Sequence, residues 1–164
     1  MNIFAIDRSP VVAAKHLVDA HCVKMVLESA QMLANCFSLN VLASPDCPRT
    51  MIGQIRSHSY VNHPCSKWVR YSKANMLWLI EHAIELDKER VERFRSKPHF
   101  SLKFIIWCRD NIDLSIVPDG VLTEFAQAMP VEYKHNDSVI AYRNFYRHGK
   151  KHLHNWKRNK PEWI

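Results

Sequence analysis

The sequence predicts an all-α protein: a compact, single-domain helical bundle over residues 1–164, led by a short N-terminal extended segment. Three observations predict this. Glycine supplies only 3 of 164 residues, too few for glycine-rich phosphate loops, dinucleotide fingerprints or a turn-dense β fold. Apolar residues make up 47% of the chain, enough for a core and incompatible with wholesale disorder. Long stretches free of Gly and Pro carry apolar residues at helical spacing, set apart by Pro-containing loops. A folded chain of this length buries roughly 70% of the surface its extended form exposes.

Met1–Ile6 is short and apolar, a brief strand or an extended lead-in. Ser9-Pro10 is a helix start, with Ser as N-cap and Pro at the first helical position. From Val11 to about Phe37 the residues read as one long helix or two in tandem. Ser44–Pro48 is a loop, Met51–Ser59 is ambiguous, and Asn62-His63-Pro64 is a turn before the next helix. That helix is expected from Ser66 to about Phe94, its last two turns laced with charge and solvated. A third helix is expected over Phe100–Ile112, then a loop at Ile116–Gly120. Val121–Ala128 reads as a short helix stopped by Met129-Pro130. Asp137–His148 reads as a last helix, stopped near Gly149. Residues 150–164 form a basic, aromatic tail, expected to pack on the bundle. No internal repeat or low-complexity tract is present.

There are 23 Lys and Arg against 16 Asp and Glu, a net charge of +7. Such a balance points to an anionic partner, DNA or a nucleotide. The five cysteines are an odd number without a C-x-x-C pair, which fits free thiols in a reducing, cytoplasmic setting. Nothing resembles a signal peptide, and no run of 18 apolar residues exists to span a membrane.

The first long helix carries a polar stripe. From Cys22 to Ala34 apolar residues lie nearly all round, yet His21, Lys24, Glu28 and Gln31 fall within an arc of about 80° at 100° per residue. Burying Lys and Glu without partners costs several kcal/mol, so the stripe must pair internally or line a wet cleft. As a cleft wall, Glu28 would serve as acid, base or cation stabiliser and Lys24 as nucleophile or phosphate contact, with His21 beside them. Otherwise Lys24 and Glu28 form a plain i,i+4 pair on a solvated edge.

Further binding candidates lie elsewhere. Asn75 and His82 are polar members of an apolar face that also holds Trp68, Tyr71, Trp78 and Leu86; each is a ligand contact or a satisfied core group. Asn62 and His63 cap a helix N-terminus, a natural anion site, and Arg70 one turn on would grip a phosphate. Gln127 and Lys134 sit in a polar and aromatic loop. Tyr142, Arg143, Lys150 and Lys151 open a run in which cations alternate with Phe145, Tyr146, Trp156 and Trp163, the two ingredients of sequence-tolerant nucleic-acid binding. His148, His152 and His154 lack metal-site spacing, as does His63-x-Cys65, so neither a metal nor another cofactor is expected. No G-x-S-x-G elbow supports a serine triad.

M-N-I-F at Met1–Phe4, K-M-x-x-E-S-A-Q-M-L at Lys24–Leu33, N-H-P-C-x-x-W-V-R at Asn62–Arg70, F-A-Q-A-M-P-x-E-Y-K at Phe125–Lys134 and A-Y-R-x-F-Y at Ala141–Tyr146 together resemble a widespread group of small bacteriophage proteins. The resemblance covers most of the chain and places the protein in the cytoplasm of an infected cell. The small, basic, all-helical layout, with A-K-H-L at Ala14–Leu17 and an acid-bearing helix after it, also resembles the bacteriophage pyrimidine-dimer DNA glycosylases. That resemblance implies an N-terminal α-amine that attacks the sugar C1′ to form a Schiff base, and a helix glutamate that supports the cation; Glu28 matches the glutamate in role. Asn2 is bulky, so Met1 is expected to be retained where that family exposes a small residue. This departure leaves Lys24 as the substitute amine. The expected function is therefore a DNA glycosylase/lyase-like enzyme. The alternatives are a base-modifying transferase, a non-catalytic protein that sequesters a host signalling nucleotide, and a plain DNA-binding accessory factor.

Overall fold

The computed structural model describes all residues from Met1 to Ile164. Seven α-helices and a few short 3₁₀ turns are joined by irregular segments, and no strand forms. One apolar core draws on the N-terminal segment and on all seven helices. No helix is long and apolar enough to cross a membrane.

The stretch Val11–Phe37 resolves into two helices, α1 (Pro10–His16) and α2 (Asp19–Ala34). Ser9 caps α1 by accepting from the Val12 amide, with Pro10 at its first position. The break falls at Leu17 and Val18, both extended and buried. Asp19 opens α2 and places its carboxylate at the positive end of the helix dipole. A short α3 (Leu39–Ala43) is capped by Ser38.

The stretch expected as one helix from Ser66 is likewise two: α4 (Pro64–Val69), capped by His63, and α5 (Lys73–Phe94), capped by Ser72. The change of axis at Arg70–Ser72 takes Trp68 and Tyr71 off the face of α5. At 22 residues, α5 is roughly 33 Å long and is the spine of the fold, packing on α1, α2, α4 and α6 (Leu102–Asp110). It ends at Arg95 in the left-handed conformation. Its final turns are not simply solvated, because Asp87, Glu89 and Arg93 are buried.

The helix expected over Val121–Ala128 does not form. Side chains remote in sequence take up its backbone groups instead: the Thr123 amide donates to Asn75 Oδ1 and the Phe125 amide to Ser138 Oγ. The last helix, α7 (Ser138–Asn144), is capped by Asp137 and runs into a π-turn over Phe145–Gly149. Gly149 is required there, since a Cβ would lie 2.5 Å from the Phe145 ring.

The tail does lie on the bundle. Trp156 Nε1 donates to the His16 carbonyl, and Arg158 pairs with Glu89 and Glu92. Trp163 lies between the guanidinium groups of Arg143 and Arg147. Its aromatic residues are thus turned inward with Tyr146 and Phe145, both buried. Trp156 and Trp163 are half-buried against the bundle and contribute to its core.

All five cysteines are free and buried. Burial pushes the Cys22 and Cys65 thiols up to about 12, which keeps them protonated and unreactive at neutral pH.

His82 is fully buried, stacked on Trp78, with neither ring nitrogen hydrogen-bonded. Burial lowers it to about 3, and His21 is lowered to about 3 as well, chiefly by burial. Both must stay neutral in the fold, whereas in the unfolded chain a histidine takes up its proton near 6.5. Stability is therefore expected to be fully present above pH 6.5 and to fall as the pH drops towards 3, by about 1.4 kcal/mol per pH unit for each histidine. Thermal midpoints at pH 7 and pH 5 test this. The midpoint should fall, and His82→Leu should remove about half of the fall; a pH-independent midpoint would contradict the assignment.

Candidate functional site

The site begins with Asn2. Its Oδ1 accepts from the amides of Ile3 and Phe4, closing a tight local turn, and its Nδ2 donates to the Ala128 carbonyl. The turn forces Phe4 to a φ of 43°, the left-handed region that a bulky residue rarely enters. Such strain persists only when surrounding contacts hold it. Here the Phe4 ring stacks on His21 at 4.0 Å and meets Tyr146 edge-on.

The turn also aims the start of the chain at α2. The Asn2 amide donates to Glu28 Oε2 at 3.1 Å, and the Met1 α-amine lies 3.6 Å from the same oxygen. Lys24 Nζ lies 3.1 Å from Oε1. One carboxylate thus faces two amines, one on each oxygen. The Met1 side chain is only 3% exposed, with its sulfur against Ser66 Oγ. Met1 as a whole is half-buried, so its remaining exposure belongs to the backbone, at the amine end. Lys24 is 68% exposed, so its amine sits on the rim.

His21 forms one wall. Its Nδ1 is 2.6 Å from the Tyr146 hydroxyl. Burial holds Tyr146 well above the ordinary tyrosine range, so it keeps its proton. Its one hydrogen-bond acceptor is His21 Nδ1, and the ring's own proton therefore sits on Nε2. Burial first, then the charges of Lys150 and Lys24, keep His21 neutral. It is a fixed hydrogen-bond donor and not a base.

The π-turn completes the pocket. The Lys150 amide reaches back to the Phe145 carbonyl, and its ammonium lies 5.1 Å from the Phe145 ring centre. Together these groups enclose a cavity of about 210 Å³. It is lined by one carboxylate and three cationic groups: Met1, Lys24 and Lys150. Its surplus positive charge suits a substrate that carries phosphate.

Of the residues singled out in the sequence, His21, Lys24, Glu28 and Lys150 meet here. Gln31, on the same stripe, opens instead into a second cavity beside α2. Asn62 is exposed at the α4 turn, and His63 caps α4 with Nδ1. Arg70 spends its guanidinium on the Ser66 and Val61 carbonyls. Asn75 is a core amide bound to Trp68 and Thr123, and Tyr142 is a core phenol bound to the Ala126 carbonyl. Gln127 pairs both ends of its amide with the His135 backbone, with Lys134 exposed beside it. Arg143 ties the Ile6 carbonyl and Asp7 to α7. Lys151 is exposed next to Lys150. Of these only Lys150 lines the Glu28 pocket, and no three His, Cys, Asp or Glu side chains converge as metal ligands.

The sequence reading raised the N-terminal amine only through the glycosylase resemblance and set it aside for Lys24, and it did not place Asn2, Phe4 or Tyr146 at the site. The M-N-I-F opening carries no spacing that says where it lands. Comparison of the chain with protein-family models, with curated proteins and with solved structures finds no match.

Proposed function

We propose that the protein is a DNA-processing enzyme of the glycosylase/lyase type, with the Met1 α-amine as nucleophile and Glu28 as the group that supports the cationic intermediate. The observation that carries this reading is the Glu28 carboxylate held between two amines at the floor of a small cationic pocket. Met1 is preferred over Lys24 on position: its amine lies inside the pocket against Glu28, beside a side chain only 3% exposed, whereas Lys24 is 68% exposed on the rim, where it suits a backbone phosphate.

In the proposed step the free amine attacks C1′ of a nucleotide. The C1′–N bond breaks, and the base leaves with its electron pair and takes a proton from water. The bound nitrogen then gives up a proton, which passes through water to O4′, and donates its pair to C1′ as the C1′–O4′ bond opens with its electrons on oxygen, giving an iminium and a hydroxyl. In this reading the iminium charge rests against Glu28, and the neutral His21 keeps its proton and serves only as a hydrogen-bonding wall.

Borohydride tests the reading, since hydride addition to the iminium carbon leaves a stable secondary amine. With a duplex containing an abasic nucleotide, a covalent protein–DNA adduct is expected, and peptide mapping should place it on Met1. Appending two residues ahead of Met1 should abolish it, while Lys24→Ala should keep it at weaker DNA affinity. An adduct on Lys24 would move the nucleophile to the rim. No adduct on any damaged or abasic duplex would overturn the reading.

A further inference from the structure

A cavity of about 540 Å³ lies apart from Glu28, between α2, the segment 50–59 and the turn 95–101. Its size is that of a small-molecule site. Arg56 lies in its wall and is only 8% exposed. The guanidinium stacks over the Phe104 ring at 4.1 Å and donates to the Pro48 and Arg49 carbonyls through Nε and Nη2. Nη1 has no hydrogen-bond partner, and no carboxylate lies within ion-pair distance of the group. A cation so buried is normally paired.

The rest of the lining makes the same demand. Its cations are Lys97 and an Arg90 already paired with Asp87, and it contains no Asp or Glu. Asp87, behind the rim, is taken up by Arg90 Nε and the His99 amide. His99 Nδ1 accepts from the Ser101 amide. Because burial holds this ring's pKa below the ordinary histidine value, its proton sits on Nε2, a free donor. Against these donors stand four large apolar side chains that the fold leaves exposed to water: Leu27, Met51, Ile55 and Phe100. Between the two sets lie the amides of Gln31 and Gln54, the side-chain type that reads the edges of bases.

We infer that this cavity is a binding site for a singly phosphorylated nucleoside, with the phosphate on Arg56 and the base against the Ile55 and Phe100 side. One buried guanidinium answers one anionic group, a charge-assisted contact of the strong kind, and the apolar remainder answers a ring. The ligand is a free nucleoside monophosphate or the phosphorylated end of a strand, which share this chemistry. The site shares helix α2 with Glu28 but none of the Glu28 pocket's residues, so it does not depend on the reaction proposed above.

Calorimetric titration of the full chain with the four deoxynucleoside monophosphates, and with the same nucleosides lacking phosphate, tests the inference. At least one monophosphate should bind, and its nucleoside about tenfold more weakly or less. Arg56→Met should lose about tenfold in monophosphate affinity, read on protein whose thermal midpoint shows it to be folded, since the side chain also donates to the Pro48 and Arg49 carbonyls. Should Arg56→Met not fold, Lys97→Ala at the open rim serves as the second variant, with a several-fold loss expected. Glu28→Gln should bind the monophosphate as the wild type does, even if it abolishes borohydride trapping. A 5′-phosphorylated trinucleotide that competes more tightly than the monophosphate identifies a strand end; one that competes no better identifies the free nucleotide. No binding of any monophosphate, or affinity unchanged in both Arg56→Met and Lys97→Ala, would overturn the inference.

Discussion

Glu28→Gln is expected to lower turnover on damaged or abasic DNA about 100-fold or more while leaving the fold intact. The variant is nearly isosteric. Its amide oxygen still accepts from the Asn2 amide, so the local turn that positions Met1 is kept. What it loses is the negative charge beside the two amines, which in the proposed reaction supports the iminium. The expected signature is a large fall in rate with little change in DNA affinity, because the cations on the rim are untouched. Thermal midpoint and activity should be measured on the same sample. If Glu28 served only as a structural partner of Lys24, the variant would be destabilised yet fully active per folded molecule, and that outcome would sink the active-site assignment.

Arg93→Met is expected to have the largest effect on stability, about 3–5 kcal/mol. The Arg93 side chain is completely buried. It donates to Asp19 Oδ1, to Glu89 Oε1 and to the carbonyls of Lys15 and Leu17. One side chain thus closes the break between α1 and α2 and fastens it to α5. The same carboxylates hold the tail, Asp19 through the Lys157 amide and Asn155, and Glu89 through Arg158 and Asn159. Removing the cation leaves two mostly buried carboxylates short of a partner. For a domain of this size the midpoint should fall by roughly 10 °C. Arg158→Ala breaks only a half-exposed arm of the network and should cost far less. Equal effects of the two substitutions in urea or thermal unfolding would show that the network does not centre on Arg93.

The cleft reading of the polar stripe needed tertiary structure, but the stripe itself did not. His21, Lys24 and Glu28 share one face because the pitch of a helix puts them there. The starts of α1 at Ser9-Pro10, α4 at His63-Pro64 and α7 at Asp137 were legible for a related reason: a cap is satisfied within three residues. The break at Arg70–Ser72 was not legible, because apolar spacing continues through it from Trp68 to Leu86. Only the Ser72 cap on the Asn75 amide marks the new start. Val121–Ala128 was misread because its amides are met by Asn75 and Ser138, which no local pattern reveals.

The all-α class, the caps and the arc of His21, Lys24 and Glu28 each follow from bonds and contacts between near neighbours in the chain. Only packing across the molecule brings the Met1 amine to Glu28, sets Tyr146 against Nδ1 of His21 and turns Gln31 to a different cavity from Glu28. Those pairings span 27 and 125 residues, or turn on which neighbour covers one side of α2. They arise from packing the whole core at once, and periodicity along the chain carries no record of them.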